Sequence, residues 1–155
     1  MLSNLITRNN VLVDMESTEK DEALAELLEV LVAGQPQIDR REALESLCSR
    51  EDKMSTAVMP CIAVPHAVCP SVKKTAVALG ISRNGIEFDL PDSPGYETTS
   101  VNIIFETLFE EKETETHLHL LRDILYVTSN PEFLPGIRRA KTAQDVCDLI
   151  CSLEA

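Results

Sequence analysis

Arg50-Glu51-Asp52-Lys53-Met54-Ser55-Thr56-Ala57-Val58-Met59-Pro60-Cys61-Ile62-Ala63-Val64-Pro65-His66 is the stretch on which the reading of this chain turns. Within it, Cys61-Ile62-Ala63-Val64 is a short apolar run with a β-branched bias, bounded by Pro60 and Pro65, which predicts a strand buried on both faces. Proline at 65 fixes its own φ, donates no backbone hydrogen bond and biases Val64 toward extended geometry, so the strand is expected to stop there. The chain then turns with His66 exposed at the strand exit, where an imidazole meets a ligand.

Outward from that stretch, helices and strands intermingle. Asn10-Val11-Leu12-Val13 reads as a short edge strand. Thr18 with Asp21 three residues on resembles a helix N-cap, and Ala23, Leu24, Leu27, Leu28, Leu31 and Val32 recur at helical spacing until Gly34. Asp39 with Glu42 caps a second helix, whose stripe is Ala43, Leu44 and Leu47 and whose last turn carries Arg50. Beyond His66, Thr75–Ile81 reads as a buried strand and Gly85–Phe88 as a shorter one, joined in a hairpin by Arg83-Asn84-Gly85. Pro91–Gly95 marks a loop, and Val101–Phe105 is a third clear strand. Thereafter the spacing predicts a helix over 113–127, a short piece from Asn130-Pro131 that Pro135-Gly136 kinks or restarts, and a last helix capped by Thr142 and Asp145. Val146, Leu149, Ile150 and Leu153 form the inward face of that last helix. The expected architecture is α/β, one domain over 1–155, with a mixed β-sheet flanked by helices.

The helix over 113–127 separates two histidines. At about 100° per residue, Leu118, Leu120, Leu121, Ile124, Leu125 and Val127 define an apolar face centred close to His117, whereas His119 falls opposite with Arg122 and Asp123. Helical phase thus points His117 inward and His119 to water. An inward histidine on such a face is more often a satisfied core residue than a catalytic one.

Composition narrows the possibilities. The chain has 155 residues, 44% hydrophobic and 26% charged, which is ordinary for a globule with an adequate core. Its formal net charge of −12 repels phosphate backbones and anionic lipid, so no nucleic acid partner is expected. No apolar run approaches the roughly 20 residues that span a bilayer, and the N-terminus lacks a charged segment followed by an apolar core, so a cytoplasmic location without membrane insertion is expected. Five cysteines, at 48, 61, 69, 147 and 151, are odd in number and contain no C-x-x-C pair. They predict neither a disulfide framework nor a zinc finger, and read as small buried apolar side chains. A metal site on His66, Cys69 and His117 is an alternative, without a recognised ligand spacing.

Arg50-Glu51, Ser55-Thr56 and Ile62-Ala63-Val64-Pro65-His66 together resemble the signature of the mannitol/fructose-type EIIA proteins of the bacterial phosphoenolpyruvate-dependent sugar phosphotransferase system, whose acceptor histidine closes an I-A-[IV]-P-H run. His117-Leu118 with Leu121 resembles the family's H-[LI]-x-x-L motif, so the likeness covers nearly the whole chain. One departure is Met59-Pro60-Cys61, where the family usually has a glycine shortly before the strand. The resemblance implies a phosphohistidine carrier with no cofactor: HPr phosphorylates His66, and the phosphoryl group passes to a cysteine of an EIIB component on a separate chain. It implies His117 as a hydrogen-bond donor to His66 or to the phosphoryl oxygens and Arg50 as counter-charge, with Ser55 and Thr56 as weaker candidates that read equally as turn residues. For Arg50 the alternative is a cation favoured by the helix macrodipole. Nitrogen-type EIIA proteins, which bind targets according to their phosphorylation, are resembled as well and give the alternative function.

Overall fold

The computed structural model describes residues 1–155. Along the chain run β1 (Val11–Leu12), α1 (Lys20–Gly34), α2 (Arg40–Lys53), β2 (Cys61–Ala63), β3 (His66–Val68), β4 (Ala76–Asp89), β5 (Thr98–Phe109), α3 (Thr114–Thr128), α4 (Phe133–Arg139) and α5 (Ala143–Glu154). The sheet order is β1-β4-β5-β2, with β3 also on β5. β4 and β5 are antiparallel and the other pairs parallel, so the sheet is mixed, as the alternation of elements predicts.

Alternation of side chains along β4 and β5 divides the core in two. Ala78, Phe88, Ile104 and Leu108 face α1 and α2, whose Ala23, Leu27, Leu31 and Leu47 cover them. Val77, Leu79, Ile103, Phe105 and Phe109 face the other way, under Leu120, Ile124 and Val127 of α3, Phe133 and Ile137 of α4, and Val146 and Ile150 of α5. Helices therefore pack on both faces of one sheet. Burying each of the large side chains contributes about 1.5–3 kcal/mol relative to leaving it in water.

The helix starts follow the sequence in two cases. The Asp39 carboxylate accepts the Glu42 N–H at 3.1 Å, and Thr142 and Asp145 form a reciprocal capping box. Thr18, in contrast, does not cap α1, which starts at Lys20 after Glu19 with no side-chain cap. Its approach is held from inside the helix, because the Glu26 carboxylate accepts the N–H groups of Glu16 and Ser17, each at 3.0 Å. Nor does Pro135 break α4. It lies in the first turn, where the N–H it lacks has no intrahelical partner to lose.

The expected hairpin at Arg83-Asn84-Gly85 is a bulge instead. Residues 76–81 and 86–89 belong to one strand, β4, and both segments pair with β5, Ile81 opposite Ile103 and Ile86 opposite Val101. The four residues between them arch out against Asn102 alone, whose Nδ2 donates to the Ser82 carbonyl at 2.9 Å. Gly85 takes φ +84° there, and a Cβ on it would collide with Ser100 Oγ, so the turn chemistry was legible while its partner was not. The true hairpin joins β4 to β5 over 90–97, closed by the Leu90 N–H to the Glu97 carbonyl at 2.9 Å.

Pro65 likewise interrupts the chain without turning it. β2 and β3 pair with successive positions of β5, and between them the Pro65 carbonyl accepts the Thr107 N–H at 2.9 Å. A residue's N–H and C=O point the same way along a strand, so Pro65 leaves one position of the β5 ladder without its donor, and the ladder resumes at His66. His66 thus opens β3 within the edge of the sheet and is half-buried, not exposed beyond a terminated strand.

Candidate functional site

The last turn of α2 and the strand edge are tied by a buried carboxylate. Glu51 is 4% exposed, and its two oxygens accept the Thr56 N–H at 2.6 Å and the Thr56 hydroxyl at 2.8 Å. Val64 N–H in turn reaches the Thr56 carbonyl at 3.3 Å and its Oγ1 at 3.2 Å. Ser55 Oγ accepts the Ala57 N–H at 3.2 Å. Ser55 and Thr56 therefore shape the turn that delivers the strand, and Ser55 also borders the His66 pocket. At the departure Met59-Pro60-Cys61, Cys61 takes φ +69°, a left-handed conformation that costs a non-glycine residue about 1–2 kcal/mol. The turn keeps a glycine-like backbone with a side chain mounted on it.

The His66 ring has one nitrogen committed. Nδ1 lies 2.8 Å from the Val64 carbonyl, and because a carbonyl only accepts, Nδ1 carries the proton. Nε2 is left with its lone pair. Burial holds the His66 pKa below its ordinary value, the Arg50 charge acts in the same direction, and the bond to Val64 opposes them. The ring is therefore neutral at neutral pH, with a nucleophilic nitrogen free.

Arg50 and His66 border the same two depressions. One is a pocket of about 190 Å³ completed by Met54, Val58, Leu121 and Leu125, and the other an open groove of about 690 Å³ along α2 with Glu42, Glu45 and Lys53. The Arg50 Nη1 donates to the Met54 carbonyl at 2.7 Å, which anchors the guanidinium at the helix end and leaves its other donors free. The guanidinium at the helix end thus also borders the His66 pocket.

His117 is half-buried on α3, and its Nε2 donates to the Glu110 carbonyl at 2.8 Å. It does not border either depression. It stacks on Phe109 with ring centroids 4.1 Å apart and planes at 27°, while His66 meets the same phenyl ring edge-on at 5.9 Å. Phe109 is the contact that the two imidazoles share. His119 is exposed, as its phase predicts.

Two expectations need correcting. Leu118 and Leu125, placed on the core face by periodicity, are 72% and 43% exposed. The sheet covers the α3 stripe only along Leu120, Ile124 and Val127, and the uncovered flank runs past His66. Met54, Val58, Leu121 and Leu125 line a pocket with His66 and Phe109 touches its ring, contacts that sequence reasoning missed; for Leu121 and Leu125 the one available signal was an apolar stripe wider than a single packing face. The cysteines are the second correction. All five are free, but only Cys69 is buried; Cys48, Cys61 and Cys147 are partly exposed and Cys151 is exposed. Cys69 belongs to the core on the α1–α2 side of the sheet, with its Sγ 3.3 Å from Glu42 Oε1. No three His, Cys, Asp or Glu side chains converge in ligand geometry, and His66 and Cys69 serve different layers.

A model of the family "Phosphoenolpyruvate-dependent sugar phosphotransferase system, EIIA 2" matches residues 4–152. The fructose-specific EIIABC component of Bacillus subtilis is 26% identical over 149 residues, which are 96% of this chain and 23% of that protein. The chain therefore spans less than a quarter of that relative's length. A nitrogen regulatory protein of Pseudomonas aeruginosa is 25% identical over 153 residues, 99% of this chain and 96% of that protein. Among solved structures, nitrogen regulatory protein IIA-Ntr from Neisseria meningitidis superposes with a TM-score of 0.84 at 23% identity, covering 96% of this chain and 98% of that one. The Escherichia coli mannitol enzyme IIA, solved in complex with phosphorylated enzyme IIB, gives a TM-score of 0.76 at 18% identity over 93% and 95%. At these identities the solved structures establish the fold alone.

Proposed function

We propose, from the premise that the chain belongs to the EIIA 2 family of the phosphoenolpyruvate-dependent sugar phosphotransferase system, that His66 accepts a phosphoryl group from HPr and passes it to an EIIB component. The observation that carries this reading is the His66 ring itself: Nδ1–H is fixed on the Val64 carbonyl, so Nε2 is presented as the nucleophile beside the Arg50 guanidinium. In the transfer, the Nε2 lone pair attacks phosphorus, the donor's P–N bond breaks with its electron pair returning to the donor imidazole, and a new P–N bond forms on His66. Arg50 offsets the charge spread over the phosphoryl oxygens, and His117 supplies a further donor. The exposed side chains Met54, Val58 and Leu125, with the partly buried Leu121, give partner proteins an apolar rim to dock on and exclude water from the reacting atoms.

A regulatory reading shares every step up to His66 phosphorylation and differs in the fate of the phosphoryl group. Its support is that the nitrogen regulatory protein of P. aeruginosa is matched over 96% of its own length. In this reading the phosphoryl group alters binding to a target protein in place of moving to EIIB.

Incubation with phosphoenolpyruvate, enzyme I and HPr, followed by intact mass, tests the common step. The expected product carries one acid-labile, base-stable phosphoryl group, and no uptake or an acid-stable adduct overturns the reading. Addition of EIIB to the labelled protein then separates the alternatives. Rapid loss of label supports the carrier function, and retention supports the regulatory one.

A further inference from the structure

We propose that His117 takes up a proton when His66 becomes phosphorylated, so that the second imidazole serves the phosphoryl group only as an imidazolium. The inference rests on the reading that His66 is the phosphoryl acceptor and adds a charge state to it.

The tautomer of His117 carries the argument. Its Nε2 faces the Glu110 carbonyl at 2.8 Å, so Nε2 holds the hydrogen whether the ring is neutral or charged. Glu110 is itself fixed, because its N–H donates to Thr75 Oγ1 at 3.1 Å. Nδ1 is the one nitrogen left, and no group of the protein bonds to it. In the neutral ring that nitrogen bears a lone pair, so against a phosphoryl oxygen carried by His66, which shares the Phe109 ring with it, acceptor would meet acceptor. Protonation converts Nδ1 into a donor and leaves the Glu110 bond intact. His66 does not supply this proton, since its own N–H remains on the Val64 carbonyl while Nε2 bonds to phosphorus.

The surroundings favour the charged ring once the phosphoryl group arrives. Phe109 lies face to face with His117 at 4.1 Å, and an aromatic face attracts a cation. Charged groups on the neighbouring elements are Arg50 and Glu51 at the end of α2, His66 on β3, and Glu110, Glu111, Lys112 and Glu113 leading into α3. Before phosphorylation, a charged His66 and a charged His117 oppose one another. Afterwards His66 bears the anionic phosphoryl group, and the sign of that interaction reverses. Proton and phosphoryl group then reinforce each other by linkage, with up to one proton bound per transfer.

The test is ring nitrogen NMR of the full chain labelled with ¹⁵N-histidine, before and after phosphorylation by phosphoenolpyruvate, enzyme I and HPr, at a pH where His117 begins neutral. His119 in the same spectrum reports exposed behaviour. The expected result is a phosphorylated His66 Nε2, together with His117 changing from one protonated nitrogen to two. Its counterpart is a wild-type transfer equilibrium from HPr that moves toward the phosphorylated state as pH falls, by up to tenfold per pH unit more than in His117→Gln. A His117 that keeps its neutral tautomer beside phosphorylated His66 overturns the proposal and leaves His66 as acceptor. Absence of the phosphorylated His66 signal overturns the acceptor assignment and this inference with it.

Discussion

Glu106 and Thr107 are neighbours on β5 that face opposite layers, and the two layers treat their polar groups differently. On the α1–α2 side, Glu106 is fully buried opposite Ala78, with neither carboxylate oxygen hydrogen-bonded. Burial raises its pKa well above the ordinary value near 4.5, which favours the neutral acid. On the α3–α5 side, in register with Thr107, His66 is held by one nitrogen and presents the other beside Arg50. Burial alone only silences a titratable group. One tethered atom and one open atom make it available for chemistry.

The largest expected effect breaks that contrast outright. His66→Ala removes the free nitrogen and is expected to abolish labelling by HPr at any incubation time, with circular dichroism unchanged. A folded variant that still labels removes the α3–α5 side's claim to the chemistry. Next in size is His117→Ala, expected to slow phosphorylation 10²–10³-fold, about 2.7–4 kcal/mol by analogy with the loss of one preorganised donor. His119→Ala is expected to be nearly silent, and a rank order with His119 slower contradicts the assignment by helical phase.

On the opposite layer the expected effect is on stability. The folded-state pKa of Glu106 lies above its unfolded value, so its contribution is fully present below about pH 4.5 and is lost as pH rises toward the folded value. Denaturant unfolding of the wild type is expected to weaken by up to about 1.4 kcal/mol per pH unit across that interval, relative to Glu106→Gln. Parallel pH profiles for the two proteins mean that Glu106 finds a partner and is not silenced by burial. The smallest effect belongs to Thr107, whose buried hydroxyl also has no partner. Thr107→Val is expected to raise stability by about 0.5–1.5 kcal/mol, and a loss of stability in the same measurement shows that the hydroxyl is bonded.

Much of the fold is read from spacing because the relevant physics is local. The caps at Asp39 and Thr142 depend on a side chain reaching three residues along its own chain, and both form. Thr18 does not cap, and the approach to α1 is held non-locally by Glu26, a turn and more into the helix, which accepts the N–H groups of Glu16 and Ser17. The turn chemistry of Arg83-Asn84-Gly85 is equally local, and a bulge uses the same left-handed glycine as a hairpin. Only the common pairing of both flanks with β5 distinguishes the two.

By itself the sequence carried the features on which the proposed chemistry rests: an apolar run closed by Pro65-His66, an arginine at the end of α2, and a helix whose phase separates His117 from His119. Those features follow from backbone periodicity and from the identity of neighbouring residues, which the sequence carries in full. The tertiary structure alone decided that Pro65 continues an edge strand, that Phe109 contacts both imidazoles, that the α3 stripe is covered on one flank only, and that Glu106 lies buried without a partner. Each of these depends on which surfaces meet across a long sequence separation, and strand register and burial are properties of the meeting rather than of either segment.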